Sequence, residues 1–199
     1  MDETHNIFQI IGVLSAVVFV AGDVPYFRDT LNGSTKPHRV TWGIIFLLNI
    51  IAFANQYASG ASNSLWLYGA VIVATGAIFM ASIKKGVGGQ TKTDIFALVS
   101  ALVGIALWVT FDSPLLSILA NLFASLVAVF PTFLKAAKHP ESETGSAFLF
   151  GGISSAMGAI SVGKLDFDLL ILPIAGVIIQ GYLVYLIYLR PAPEKEGPR

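Results

Sequence analysis

The chain has 199 residues, of which 55% are hydrophobic and 12% are charged, and its formal net charge is zero. The charged share is about half that of an average soluble domain, and the mean hydropathy is +0.74. The absence of cysteine excludes disulfides, zinc thiolate sites and thiol nucleophiles, and the neutral charge gives no reason to expect a nucleic-acid partner. The composition therefore favours an all-α membrane protein, because lipid-facing helices need no charge.

Seven apolar stretches follow one another along the chain, each close to the roughly 20 residues needed to cross a bilayer. They cover residues 7–27, 40–58, 65–83, 94–111, 115–134, 146–163 and 168–189. The sixth is short and rich in glycine and serine, which suits a helix packed inside a bundle better than one facing lipid. The first residues lack the basic region of a secretory signal, so we expect the first span to be retained.

The cations predict how these spans are oriented. Of the twelve Lys and Arg residues, only Lys164 falls on one side of the predicted spans, and the other eleven lie in loops one, three and five and in the C-terminal tail. Positive charge concentrates on the cytoplasmic side of membrane proteins. The sequence therefore predicts a multi-pass protein of the cell (inner) membrane with its N-terminus outside and its C-terminus cytoplasmic. The tail, residues 191–199, is predicted to be disordered.

An internal repeat is visible at two prolines, Pro25 and Pro131, which are 106 residues apart. Each lies near the end of an apolar span and precedes an aromatic residue, a cation and a polar turn. Because both spans run in the same direction, two three-helix units need one extra crossing between them. The predicted architecture is 3+1+3, with parallel triple-helix bundles in residues 1–88 and 114–190 joined by a linker helix in residues 89–113.

The two proline segments resemble the PQ-loop motif of the SWEET/PQ-loop transporter superfamily, and the seven-span layout over residues 7–189 is similar to that family, more to its bacterial members than to plant sugar carriers. The resemblance implies a central substrate pocket and alternating access. Tyr26 and Thr132 stand where the family has glutamine, and the asparagines expected on spans three and seven of sugar carriers are absent. The resemblance therefore implies the fold rather than sugar specificity.

A polar, uncharged side chain lies about ten residues, or about 15 Å, from the cytoplasmic end of each of the six bundle helices. These residues are Ser15, Asn49, Thr75, Asn121, Ser155 and Gln180. The spacing of 106 relates Ser15 to Asn121 and Asn49 to Ser155. Since an amide in hydrocarbon is costly without a cavity or a partner, we expect these six residues to line a substrate site. The alternative is that they form hydrogen bonds between helices.

Trp42 shares one helix face with Asn49 and Gln56, because the three recur every seven residues. An aromatic ring near an amide suits stacking on a sugar or heterocycle, so Trp42 is a further candidate binding residue. Its position at the edge of the second span is equally typical of an interfacial anchor.

Asp23 is the one acidic residue within a predicted span. Such a carboxylate is a candidate proton carrier, or a structural or gating group paired with Arg28 or Arg39. Pro25 and Pro131 are candidate hinges, with helix kinking alone as the alternative.

The sequence contains no recognisable catalytic motif. The three histidines lie at the terminus and in loops, and no metal-ligand spacing, nucleophile motif or phosphate loop is present. We therefore expect no enzyme activity, no cofactor and no metal.

The expected function is facilitated transport of a small neutral polar solute, such as a sugar, through the lipid bilayer. The alternatives are proton coupling through Asp23, or a non-transporting receptor or assembly factor on the same helices. Homo-oligomerisation is left open.

Overall fold

A computed structural model of the chain describes residues 3–88, 91–140 and 143–190. Within this part of the chain the regular structure is helical, apart from one isolated β-bridge between His38 and Val87. Tyr185–Leu189 continue the last α-helix as a π-helical turn. The seven α-helices are α1 Glu3–Asn32, α2 Arg39–Ala58, α3 Leu65–Lys85, α4 Lys92–Phe111, α5 Pro114–Lys138, α6 Gly145–Ser161 and α7 Phe167–Val184.

Five of these helices, α1, α2, α3, α5 and α7, are long and apolar enough to cross a membrane. Shorter apolar helices cover Leu98–Phe111, within α4, and Gly145–Ser161, which is α6. Large apolar side chains are exposed along them; Val73 and Val109, for example, are 70% and 79% exposed. The prediction of an all-helical chain with several helices able to span a membrane is confirmed.

The helix ends at the two prolines differ from the predicted spans. α1 continues for seven residues beyond Pro25, to Asn32, and α5 continues for seven residues beyond Pro131, to Lys138. The interpretation that the apolar spans end within a few residues of these prolines was therefore wrong for the helices themselves. A proline removes one backbone hydrogen bond and bends a helix, but it does not prevent the polar residues beyond it from staying helical.

The helices pack in a defined order of neighbours. α3 lies between α1 and α2, and α7 lies between α6 and α5. The two sets of three meet where α1 packs on α6 and where α2 packs on α5, so that six helices follow one another as α1, α3, α2, α5, α7 and α6. The remaining helix, α4, packs against both α5 and α2.

Glycines allow the close approach of α1 and α6. A Cβ added to Gly22 would lie 2.5 Å from the Cβ of Phe150, and one added to Gly163 would lie 2.9 Å from the ring of Phe8. Moving forward along α1, from Phe8 to Gly22, therefore means moving backward along the partner, from Gly163 to Phe150. The two helices run antiparallel.

The contact between α2 and α5 repeats that between α1 and α6. Positions 106 residues from Gly22 and Phe150 are Ala128 on α5 and Ile44 on α2. Ile44 is buried in the apolar cluster between α2, α4 and α5, and Ala128 packs against the same cluster. The spacing that relates the two prolines in the sequence thus also relates the two contacts between the sets of helices.

Candidate functional site

The structure places the predicted polar residues on six different helices, as the sequence suggested. Three are buried and three are half-buried: Ser15, Thr75 and Asn121, and Asn49, Ser155 and Gln180, respectively.

Two of the buried hydroxyls bond within their own helices. The Oγ of Ser15 donates a hydrogen bond to the carbonyl of Gly12 at 2.6 Å, and the Oγ1 of Thr75 donates to the carbonyl of Val71 at 2.7 Å. Back-bonding of this kind satisfies a hydroxyl in an apolar helix without a neighbour or a ligand. The donor of each hydroxyl is therefore used within its own helix, while the oxygen keeps its capacity to accept a hydrogen bond.

Asn121 and Gln180 keep unmet hydrogen-bonding capacity. Asn121 is only 3% exposed, and neither its Oδ1 nor the buried Oε1 of Gln180 has a hydrogen-bond partner among the described residues. Room for Gln180 comes from α6, because a Cβ added to Gly151 would lie 2.9 Å from the Gln180 Nε2. Elsewhere between α6 and α7, a Cβ added to Gly176 would lie 2.7 Å from the Oγ of Ser155. These two glycines let α6 and α7 approach closely around polar groups.

The structure also buries polar residues that were not among the candidates drawn from the sequence, and four of these, within α2, α3 and α5, have a buried polar atom without a hydrogen-bond partner in the described chain. They are Asn55, Gln56, Tyr68 and Ser117. Both polar atoms of the Asn55 amide, the Tyr68 hydroxyl and the Ser117 hydroxyl have no partner in the described part of the chain. The Gln56 Nε2 donates to the backbone carbonyl of Asp168 at 3.1 Å, while its Oε1 has no partner. Together with Asn121, these four residues form what we call the buried polar cluster.

Helix register brings Asn55 level with Ser117. Ile44 and Ala128 pack in one cluster. The C-terminal parts of α5 and α7 pack together, and the end of α2 bonds to the start of α7, so α2 and α5 run in opposite directions. Asn55 lies eleven residues after Ile44, and Ser117 lies eleven residues before Ala128, so both lie about 16 Å further along the contact.

Tyr68 reaches the same level from α3. A Cβ added to Gly43 would lie 3.0 Å from the ring of Phe79, which fixes the antiparallel register of α2 and α3. Twelve residues beyond Gly43 is Asn55, and eleven residues before Phe79 is Tyr68. The cluster is therefore gathered at the end of the helices where α2 finishes and α3, α5 and α7 begin.

Each polar residue of the cluster lies in a largely apolar helix. The sequence alone does not distinguish a polar residue that faces lipid from one that faces a neighbouring helix. The signal that could have found them was the adjacent pair of amides, Asn55 and Gln56, within a span. In the sequence, Gln56 stands out only because it shares a helix face with Trp42.

Trp42 lies far from this cluster. Its ring is half-buried at the start of α2 and packs against Tyr26 of α1, with ring centroids 5.1 Å apart and planes inclined by 38°. Fourteen residues, or about 21 Å, separate Trp42 from Gln56 along α2. The partner of the Trp42 ring is thus an aromatic residue at the opposite end of the bundle.

The gating candidates take up different positions. Asp23 is half-buried on α1, and no ion pair joins it to Arg28 or Arg39 in the part of the chain that the structure describes; Arg39 Nη2 instead donates to the Gly86 carbonyl at 3.0 Å. Pro25 is exposed within α1. The side chain of Pro131 and the predicted tail, residues 191–199, lie outside the described residues.

A further proline, Pro173, is buried inside α7 and was not named as a candidate, although it stands within a predicted span. The missing N–H of Pro173 leaves one backbone carbonyl of α7 without its helical partner. Among the described helices, α7 thus joins α1 and α5 in having an internal proline.

Charge lies outside the buried polar cluster. Between α6 and α7, Lys164 Nζ lies 2.9 Å from Asp166 Oδ2, and the Leu169 amide donates to Asp166 Oδ1 at 3.4 Å. The hydrogen bond from Lys164 holds the pKa of Asp166 below its ordinary value. No group of three or more His, Asp or Glu residues that could hold a metal ion occurs within the described ranges.

The chemistry of the cluster is that of uncharged donors and acceptors in an apolar setting. Amide oxygens accept, amide nitrogens donate, and the two hydroxyls do both. Such an arrangement offers hydrogen-bonding groups suited to a neutral hydroxyl or amide, while it lacks a charge to pair with an ion.

Comparison of the chain with protein-family models, with curated proteins and with solved structures found no match in any of the three.

Proposed function

We propose that the chain is a membrane facilitator that moves a small neutral polar solute, such as a sugar, by alternating access between two triple-helix bundles. In this proposal α1–α3 and α5–α7 are the bundles, α4 is the linker, and all seven helices cross the cell membrane with the N-terminus outside. The resemblance of the two proline segments to the SWEET/PQ-loop family supports it.

The order of neighbours supports the pairing of two equivalent bundles. In each set the third helix lies between the first two, and the sets meet through α1 with α6 and through α2 with α5. The 106-residue spacing relates α1 to α5 and α2 to α6, so the contact of α1 with α6 corresponds to that of α5 with α2. This is expected for two copies related by an axis along the membrane normal.

The observation that carries the proposal is the unmet hydrogen-bonding capacity of the buried polar cluster. Asn55 is fully buried with both amide atoms unpartnered, and the Asn121 Oδ1 is unpartnered at 3% exposure. Leaving such groups unpaired costs about 1–3 kcal/mol each, so a molecule that pairs with them is favoured. A solute that carries hydroxyl groups supplies the missing partners.

A second candidate is proton-coupled transport, and the position of Asp23 favours it. Asp23 lies half-buried within an apolar helix and forms no ion pair with the nearby arginines of the described chain. Carboxylates in such positions serve as proton carriers in transporters. Replacing Asp23 with Asn then abolishes dependence of the flux on a pH gradient.

The test is uptake of labelled sugars and amino acids into proteoliposomes. We expect Asn55→Ala, Asn49→Ala and Asn121→Ala to lower the flux of the accepted solute at unchanged protein content. Ser100→Ala is the control, because the Ser100 hydroxyl bonds back to Phe96 on α4 and belongs to neither bundle. Absence of flux for every solute, together with a stable protein partner on affinity purification, would overturn transport in favour of a receptor or assembly factor.

A further inference from the structure

We infer that the chain carries a specific site for an anionic phospholipid, in a groove on the outer surface of α2, α3 and α4. The groove has a volume of about 490 Å³ and is apolar along its length except at Arg39. None of the residues predicted to bind solute lines it. The inference requires that the chain be embedded in a membrane, but it does not require that the chain carry a solute.

The groove runs along the helix axes. Arg39 and Ile83 lie at one end, and Leu47 lies eight residues, or about 12 Å, deeper along α2. Gly43 forms part of the floor, because a side chain there would collide with the ring of Phe79. An elongated apolar channel that starts at the end of an apolar helix has the shape of an acyl chain entering the hydrocarbon from the headgroup region.

Arg39 is fixed at the mouth of the groove. Its backbone amide donates to the Val87 carbonyl at 2.9 Å, and the Val87 amide donates to the Pro37 carbonyl at 3.0 Å, so the two loops hold each other. The Arg39 Nη2 donates to the Gly86 carbonyl at 3.0 Å. A guanidinium has five N–H donors, so this bond orients the group while leaving donors for a phosphate.

The surrounding charge matches an anionic headgroup. Arg39 is the one charged residue in the groove lining, and the exposed side chains of Lys84 and Lys85 end α3 nearby, with Lys36 on the adjoining loop. Basic pockets between helices on the cytoplasmic side of a membrane bind anionic lipid headgroups, and each cation near such a surface adds measurably to the affinity. An apolar channel with a fixed cation at its mouth fits a phospholipid better than it fits a neutral lipid or a peptide.

The experiment uses the purified full chain and measures lipid binding by native mass spectrometry after incubation with phosphatidylglycerol or phosphatidylcholine of the same acyl chains. We expect phosphatidylglycerol to bind more tightly. Arg39→Gln lowers its affinity about fivefold, as expected for the loss of one cation. Arg39→Lys restores most of the affinity, and Leu47→Trp, which fills the deep end, weakens both lipids.

The matched control is Arg28→Gln, which removes the same charge from the exposed end of α1 outside the groove. Equal losses in Arg28→Gln and Arg39→Gln would reduce the effect to general surface charge and overturn the site. Equal affinity for the two lipids, or no effect of Leu47→Trp, would overturn it as well. Solute flux in the same preparations is a separate measurement, so failure of the transport proposal leaves the lipid result to be judged alone.

Discussion

The Nε2 of Gln56 donates a hydrogen bond to the backbone carbonyl of Asp168 at 3.1 Å, across 112 positions of sequence. The bond joins the last turn of α2 to the start of α7 and thus links the two sets of three helices at one end. Gln56 is completely buried there. The bond is made by a member of the buried polar cluster, so it is placed to hold α2 and α7 together at that end of the molecule.

The first prediction concerns this bond. We expect Gln56→Ala to lower the free energy of unfolding in detergent by about 1–3 kcal/mol, because it removes the hydrogen bond and leaves a cavity. Denaturant titration followed by circular dichroism measures the change. Gln9→Ala, which truncates an exposed amide on α1, should change stability by no more than about 0.5 kcal/mol. Equal effects of the two substitutions would contradict the assignment.

The second prediction separates stability from function at Asn55. Because both polar atoms of this amide are buried without a partner, Asn55→Leu should raise the melting temperature by a few degrees, corresponding to about 1 kcal/mol. The same substitution should lower solute flux, since it removes hydrogen-bonding groups from the proposed site. Asn6→Leu, at an exposed position on α1, serves as the control. A marked loss of stability in Asn55→Leu would show that the amide is satisfied.

Much of the fold was predictable because apolar length and charge placement set where helices begin and end. The predicted spans agree with most helix bounds to within a few residues. The predicted spans stop short of the ends of α1 and α5 because hydropathy falls there. A helix continues beyond its apolar part as long as its backbone hydrogen bonds continue. Four of the five residues from 28 to 32 are polar, and all five are still helical.

The site was only partly predictable, for a different reason. Depth along each helix singles out six polar residues, but depth does not reveal what a side chain bonds to. The hydroxyls of Ser15 and Thr75 donate to carbonyls of their own helices. That bond depends on the side-chain rotamer, which depth along the helix does not predict. Asn55 comes level with Ser117 only once the register of α2 against α5 is known, and no local pattern encodes that register.

The third prediction tests the close packing of α3 on α6. A Cβ added to Gly158 would lie 2.5 Å from the Leu67 Cδ2, so Gly158→Ala should lower the free energy of unfolding by about 1–3 kcal/mol. Gly181→Ala is the matched control within a helix, because nothing lies within 4 Å of its added Cβ. That control should raise stability by up to about 1 kcal/mol through helix propensity. Stability changes of the same sign in both variants would refute the contact.

The fourth prediction concerns pH. The hydrogen bond from Lys164 lowers the pKa of Asp166 in the folded state, so the stabilisation it gives is complete above the ordinary pKa of 3.8 and is lost as the pH falls below it. Asp166→Asn should therefore melt below the wild type at neutral pH, and the difference should shrink on acidification. Melting temperatures across a pH series measure this. A difference that does not change with pH would argue against the pair.

The fifth prediction concerns orientation and uses the absence of cysteine from the chain. Leu165, 98% exposed between α6 and α7, and the exposed Lys85, at the end of α3, should face opposite sides of the membrane. A membrane-impermeant maleimide should label Leu165→Cys in intact cells, and Lys85→Cys only after permeabilisation. The reverse pattern would invert the proposed topology.

The position of α4 makes the two junctions between the two sets of three helices unequal. α4 packs on both α2 and α5 and so splints the junction that these two helices form, whereas no further linker covers the junction of α1 with α6 in the part of the chain that the structure describes. For a carrier of the proposed kind, separation at the splinted junction also disturbs α4, while separation at the other does not. In such a carrier we therefore expect α4 to move with any separation of α2 from α5, whereas the more extensive contact, that of α1 with α6, is held by its own two helices.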